Sequence, residues 1–412
     1  MKTKGGGATE LPAGRGNFNN RFNVNSYNYN NRASRGIDCL SILRIFSGMK
    51  TYQKLYQKLC SFDNLQIAYQ KAKKGKLSPP SVAEFAEHWQ YHLWKLHHEL
   101  CNKTYQPQPL KIFILRDPKT RRICVSQFRD RIVHHALVNI LQPIFEPRFI
   151  YDSHASRRGK GTFLALKRAA IFIRKVTRNG RLVKEAKNNN QVKGYALKCD
   201  IKRYFDNVDH KLLIGIISKR IKDQEVLWLI TAILNNYNSG VSGKGMPLGN
   251  WTSQFFANIY LHELDHFVKH ELKAKYYLRY VDDFVVFHQS KTALREYEPK
   301  IKEFLSSLRV ELHSDKCKII PLSSGINLLG FRIFYHHKLI RKRNLRTFRR
   351  KMILLFEDYG SEKVSVQQVF DIFNGWKGYA LLGNSYTICQ KQEEWITKEL
   401  GRRTFPNPHK LL

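Results

Sequence analysis

The sequence predicts an α+β fold, and three observations carry that expectation. Short runs rich in aromatic and β-branched residues, at 110–125, 194–200 and 276–287, suit antiparallel strands. Between them lie longer segments with apolar residues at helical spacing. From Lys338 the chain turns very basic (KLIRKRNLRTFRRK) and then reads as helix to about Leu400, as a separate all-α subdomain.

Length and composition bound the rest. A chain of 412 residues with 42% apolar content can bury a real core, in two or three domains or subdomains. No window reaches the ~18 apolar residues of a membrane span. The polar, Asn-rich N-terminus lacks the apolar core of a signal peptide. Seven cysteines without a C-x-x-C pair argue against a zinc ribbon and suit reduced thiols in a cytosolic compartment. Charge decides the partner class. Lys+Arg 71 against Asp+Glu 33 leaves +38, spread along the whole chain. Such an excess points to a polyanion. Nucleic acid fits better than membrane, because no basic amphipathic helix with a Trp/Leu face stands out.

Residues 1–48 stand apart. Positions 17–31 hold eight Asn in fifteen, interleaved with Phe and Tyr, while 11–37 hold four Arg and no acid. A disordered basic tail is the plain reading. Residues 51–74 read as helix, and 75–80 break it. Ser81 and Glu84 make a capping box after Pro79-Pro80, opening a helix whose stripe is Val82, Phe85, Trp89, Leu93, Leu96 and Leu100. His88 and His92 have metal-ligand spacing but no third ligand nearby, so a surface or packing role is expected.

Residues 110–125 alternate like a hairpin turning at 117–120, with Lys119, Arg121 and Arg122 at the turn. Such a basic turn can close over a triphosphate, or be an ordinary exposed charge run. A helix is expected at 128–145. Gly159 to Thr162 then cap another, roughly 163–176, and Arg157, Arg158, Lys160, Lys167 and Arg168 crowd that end, where they suit a nucleic-acid backbone. Residues 180–194 are a polar insertion. Helices are expected from Val208 onward and over 226–234. Residues 246–267 start with turn residues and become helical, with Thr252 or Ser253 as the cap. A helix N-terminus there suits the phosphates or base of a nucleotide. An amphipathic helix at 294–308 precedes 312–321, which brings Lys316 onto a short strand, and 326–335, another hairpin arm.

The chemistry centres on Asp282 and Asp283. The simplest reading of 276–287 (YYLRYVDDFVVF) is a β-hairpin with two carboxylates at its tip. Adjacent carboxylates repel unless a cation lies between them. Asp200 ends the strand-like run GYALKCD. Three carboxylates from two strands would line an oxygen site for Mg²⁺. Two ions ~3.5–4 Å apart are a recurrent solution for nucleotidyl transfer. Taken alone, the paired Asp residues equally suit a solvated turn.

Taken in order, these blocks resemble a reverse transcriptase of the group II intron-like branch, over roughly residues 52–395. DPKTRRICVSQFRDRIVHHAL resembles the family's fingers block and FEPRFIYDSHASRRGKGTFLAL the next. ALKCDIKRYFDNVDH resembles the first palm motif, YVDDF the second, and LHSDKCKI and INLLGFRI the closing palm blocks. FNGWKGYALLGNS resembles the thumb. The resemblance implies a right-hand polymerase: fingers with N-terminal helices at 49–195, a palm of antiparallel sheet and helices at 196–336, and an all-α thumb at 337–412. It implies that Asp200, Asp282 and Asp283 are catalytic and hold two Mg²⁺ ions, with the Ile201 carbonyl assisting and Mn²⁺ able to substitute. Phe205 would be the steric gate that favours dNTPs, against the plain alternative of a core aromatic. Lys119 and Arg122 would contact the triphosphate. Lys316 would support the nucleotide or the hairpin, and Arg157, Arg158 and Lys160 would follow the nucleic acid. No RNase H, endonuclease or protease domain is expected.

One block departs from the family. Most reverse transcriptases carry Gln-Gly at its start and Ser-Pro a few residues on. This chain has Leu248-Gly249-Asn250-Trp251-Thr252-Ser253-Gln254, with Leu248 in place of the Gln and Gln254 in place of the Pro. That pattern is similar to the reverse transcriptases of diversity-generating retroelements, which copy a template-repeat RNA into adenine-mutagenised cDNA. It places Leu248, Gly249 and Gln254 at the nucleotide. Replacing an amide by an alkyl group removes hydrogen bonds near the nascent pair, which suits looser discrimination. The resemblance further implies template RNA, cDNA and dNTPs as ligands. It implies a basic, oligomeric accessory variability protein as partner, no membrane, and a cytoplasmic enzyme encoded by a bacterium or phage. Asn codons are adenine-rich, so 1–48 reads either as translation through such a repeat, with Met49 as the working start, or as a true basic tail. A group II intron maturase or a retron- or defence-type enzyme is the rival of the same class, and the LGNWTSQ block speaks against it. A non-catalytic RNA-binding protein on a palm scaffold is the rival of another class, and the full set of carboxylates speaks against it.

Overall fold

The structure, a computed structural model, describes residues 50–75, 79–116, 120–182 and 192–404. The Asn-rich segment at 1–48, Lys119 and most of the polar insertion lie outside them. Four helices open the described chain: α1 (Tyr56–Cys60), α2 (Phe62–Lys73), α3 (Pro80–Glu87) and α4 (Trp89–Cys101). The stripe buries as its spacing demands, with Val82, Phe85, Leu93, Leu96 and Leu100 in the core. His92 packs its ring on Phe85. Three local expectations are corrected. Residues 51–74 form two helices, because Ser61 leaves helical geometry (ψ 142°) and caps α2 with its hydroxyl. Ser81 is no cap: α3 starts at Pro80 with Pro79 as N-cap, since prolines fit the first turn and lack only an N–H that the helix would not use. The long helix expected beyond it breaks at His88.

Strands β1 (Lys111–Leu115) and β2 (Arg121–Val125) pair antiparallel, as their alternation predicts. Helix α5 (Phe128–Phe145) and helix α6 (Thr162–Val176) follow. Strand β3 (Tyr195–Asp200) leads to the short α7 (Tyr204–Asn207), then α8 (His210–Ser218), α9 (Gln224–Asn235) and α10 (Trp251–His266). A hairpin of β4 (Tyr276–Tyr280) and β5 (Asp283–His288) precedes α11 (Lys291–Ser307) and β6 (Lys318–Pro321). The four strands form one antiparallel sheet in the order β4-β5-β3-β6.

Side-chain alternation gives this sheet two apolar faces. Leu197, Cys199, Phe284 and Val286 join the larger core, with α2, α5 and α8 to α11. Ala196, Leu278, Val285 and Phe287 face a second core with α6. That second core also takes a three-stranded antiparallel sheet, β7 (Ile326–Leu328), β8 (Phe331–Ile333) and β9 (Lys338–Ile340). The last helices, α12 (Lys342–Gly360), α13 (Val366–Ala380) and α14 (Tyr386–Thr404), share a third core of Phe348, Met352, Phe356, Phe373 and Ile396.

Four further expectations are corrected. Lys316 lies on a 3₁₀ turn, Ser314–Lys316, because the His313 amide donates to the Asp200 carbonyl (2.8 Å) and turns the chain before β6. Residues Lys338–Ile340 are strand rather than helix, paired to β8. Thr252 and Ser253 lie inside α10 behind Asn250, which adds no side-chain cap; the Thr252 hydroxyl meets His134 Nδ1 instead (3.1 Å). Cys199 and Cys317 are joined as a disulfide where reduced thiols were expected, because β3 and the turn before β6 bring them side by side.

Candidate active site

Backbone pairing assembles the acids. Asp200 stands directly opposite Asp283 in the β3/β5 register, so their side chains share one sheet face. Asp282 sits in the turn just before β5, and its carbonyl accepts from the Ile201 amide (3.3 Å). The chain after Asp200 is tied down on its other side, where Ile201 bridges Leu312. Burial pushes the Asp282 carboxyl up to about 6, and the charges of Asp200 and Asp283 add to the rise. Two lysines answer this negative charge. Lys198, two residues before Asp200 on the same face, reaches diagonally to Asp283 (2.7 Å). Lys316 reaches Asp200 (3.1 Å).

Among the described residues no group of three or more His, Cys, Asp or Glu side chains stands in ligand geometry. The three acids form a charge cluster in which Asp200 and Asp283 rest on ammonium groups. Its chemistry still fits a divalent cation: Asp200 and Asp283 face each other across the ladder with Asp282 at the adjoining turn, hard oxygen donors all, and one acid resists ionising beside the other two.

The turn itself is strained. Val281 has φ +56°, a region a β-branched residue avoids at a cost of about 1–3 kcal/mol. The Val281 carbonyl accepts from Arg279 Nη1 (3.0 Å).

Phe205 and the LGNWTSQ block also come together. The Met246 amide donates to the Phe205 carbonyl (2.7 Å) and the Gly245 amide to Val208 (2.8 Å). The loop then docks on β2: the Cys124 amide donates to the Leu248 carbonyl (3.0 Å), and the Ser126 amide to Asn250 Oδ1 (2.9 Å). Gly249 (φ +125°) lets the two backbones approach. Phe205 is half-buried at the edge of the larger core, against Tyr204. Gln254 accepts from the Ser156 hydroxyl (2.7 Å), tying α10 to the loop before α6. Arg122 is exposed near the start of β2.

The basic cluster before α6 is less open than its sequence suggests. Arg157 is spent on Glu146 (2.7 Å) and on the carbonyls of Ile150 and Ser153. Lys160 donates to the Tyr151 carbonyl (2.9 Å) and lies over the Tyr151 ring. Arg158 is exposed. Lys198 was missed by sequence reasoning, although the period of two placed it on the face of Asp200. Arg279 and Asp265 were missed too. An arginine inside an apolar strand was the available signal, since a buried charge needs a partner.

The profile of the family described as "Reverse transcriptase (RNA-dependent DNA polymerase)" matches residues 115–333. The chain is 32% identical over 238 residues to the group II intron-encoded protein LtrA of Lactococcus lactis subsp. cremoris, covering 55% of this chain and 37% of LtrA. It is 26% identical over 290 residues to protein YkfC of Escherichia coli K12, covering 60% of this chain and 71% of YkfC. It is 33% identical over 121 residues to nuclear intron maturase 1, mitochondrial, of Arabidopsis thaliana, covering 28% of this chain and 14% of that protein. The chain thus spans little more than a third of the length of LtrA. No helix of the described residues is long and apolar enough to cross a membrane.

Proposed function

The chain belongs to the reverse transcriptase (RNA-dependent DNA polymerase) family, and from that premise we propose that it is an RNA-directed DNA polymerase. The observation that carries the reading is the register of Asp200 against Asp283, with Asp282 at the adjoining turn. In this reading residues 49–195 are fingers, 196–336 palm and 337–412 thumb. Asp200, Asp282, Asp283 and the Ile201 carbonyl would hold two Mg²⁺ ions. Such ions supply charge neutralisation for attack of a primer 3′-hydroxyl on the dNTP α-phosphate. Lys198 and Lys316 offset the charge of Asp283 and Asp200 until then. Phe205 screens the sugar, Gly249 and Leu248 border the nascent pair, and Arg122 with Lys119 meets the triphosphate. Arg158 contacts the nucleic-acid backbone, while Arg157 and Lys160 shape the loop that carries it.

The finer assignment is to a diversity-generating retroelement, with a template-repeat RNA, mutagenesis at adenines and a basic accessory protein. Leu248 and Gln254 support it, since they stand where the resemblance to reverse transcriptases in general leads one to expect Gln and Pro. Residues 1–48 then derive from translation of the repeat. The likeness to LtrA favours a second reading, a group II intron-type enzyme.

The test incubates the full chain with its flanking transcript, dNTPs and Mg²⁺ and sequences the cDNA. Substitutions clustered at template adenines, reduced by Leu248→Gln, support the retroelement. Faithful copying of a neighbouring intron RNA supports the second reading. Full synthesis by Asp282→Asn overturns both.

A further inference from the structure

We propose that the buried Arg279–Asp265 pair is a positioning device for the turn that carries Asp282. The inference rests on the polymerase reading, because it assigns a task to the geometry of that carboxylate.

Both side chains are fully buried. Arg279 Nε and Nη2 each lie 2.7 Å from a separate Asp265 oxygen, a two-pronged contact that fixes the guanidinium plane. The Tyr277 hydroxyl donates to the same carboxylate (2.8 Å) and removes its remaining freedom. With its plane set, Arg279 has one nitrogen left to aim. Nη1 meets Asn258 Oδ1 (3.2 Å) and the Val281 carbonyl (3.0 Å). Asn258 is itself anchored to the Ala155 carbonyl (2.9 Å). Helix α10 therefore reaches through the guanidinium to the one peptide of the turn that is held in left-handed geometry.

The consequence is directional. Val281 lies between the end of β4 and Asp282, and its φ of +56° sets how Asp282 departs toward Asp200. A valine reverts from that conformation unless something holds it. Pairing of Tyr280 with Asp283 closes a two-residue turn, which itself favours a positive φ at Val281 but leaves the Val281 carbonyl outside the ladder. The Arg279 contact is a restraint on the Val281 carbonyl supplied from outside the turn. A charge buried this deeply is a poor device for stability alone, because desolvation offsets most of the pairing energy. It is a good device for fixing a direction. Lysine carries the charge but not the fork, so it cannot serve two carboxylate oxygens and the carbonyl at once.

The test is a cycle of Arg279→Lys, Val281→Gly and the double variant, in the full chain. Each is assayed for thermal midpoint, for amide hydrogen exchange at 280–284 without metal, and for primer-extension kcat and dNTP KM. Arg279→Lys is expected to lower kcat by about 100-fold with KM nearly unchanged, the effect of moving a reacting group by about 1 Å. Exchange at the turn should quicken in the same variant. Val281→Gly removes the conformational penalty, so adding it to Arg279→Lys should restore kcat at least about tenfold. A general loss of packing would not be rescued this way. If Arg279→Lys does not fold, the neutral pair Asp265→Asn/Arg279→Gln takes its place in the cycle, with the same expectation. A folded variant with kcat within about threefold of the parent, or a glycine whose loss merely adds to that of the lysine, overturns the proposal. Failure of the polymerase reading is separate: there Asp200→Asn and Asp282→Asn leave synthesis intact.

Discussion

Gly249→Ala isolates the contact between the LGNWTSQ loop and β2. A Cβ at Gly249 would stand 2.7 Å from Val125 Cγ1, 3.2 Å from the Cys124 carbonyl oxygen and 3.2 Å from Ile123 Cγ2. The methyl of Val125 can rotate away, but the Cys124 carbonyl belongs to a strand already paired to β1. The φ of +125° adds strain of about 1–3 kcal/mol for any L side chain. Moving the loop to relieve the contact stretches the bond from the Cys124 amide to the Leu248 carbonyl, worth about 1 kcal/mol. The variant should lose about 2–4 kcal/mol in denaturant unfolding. Because the loop is also bonded to Phe205, dNTP KM should rise as well. Gly243→Ala is the control. At φ +72° it lies beside the left-handed well that L residues enter at a cost of about 1–2 kcal/mol, and nothing stands within 4 Å, so it should lose only that much and leave KM unmoved. Equal unfolding midpoints and equal KM for Gly249→Ala and Gly243→Ala would refute the claim that close approach to β2 is what the glycine serves.

Burial lowers His134 and His262 from 6.5 to about 3, with neighbouring cations adding to the fall. The unfolded chain therefore binds more protons between those values, so stability is whole above 6.5 and declines as pH drops. By pH 5 the decline is at most about 2 kcal/mol for each histidine, and His262→Gln should flatten its share of the slope measured by urea unfolding. Gly215 lies exposed inside α8 with open space around its Cα, so Gly215→Ala should stabilise by about 0.5–1 kcal/mol; a lower midpoint would show an unseen neighbour. Phe205→Val should raise incorporation of rNTPs relative to dNTPs in a primer-extension assay, and an unchanged ratio would return Phe205 to the core.

Local signals were legible. The Asp-Asp hairpin, α5 and the burial of the 82–100 stripe follow from periods of two and 3.6, which a few neighbouring residues define. Element ends were less so. The prolines at 79–80 displaced a capping box with the right spelling, and Asn250 spent its side chain on the Ser126 amide just past β2 instead of on its own helix. Such ends depend on which partner lies nearby, not on the local pattern alone.

The sequence by itself determined that acids, a basic surface and an α+β framework of this family were present, because composition and block order survive without coordinates. Only the tertiary structure decided that Asp200 faces Asp283, that Lys198 and Lys316 answer them, and that Arg279 reaches Val281. The carboxylate contacts join residues far apart in the chain, and Arg279 is aimed at Val281, two residues on, through its contact with Asp265, fourteen residues back. A strand's period says which face a side chain takes, but not which partner the ladder will set against it.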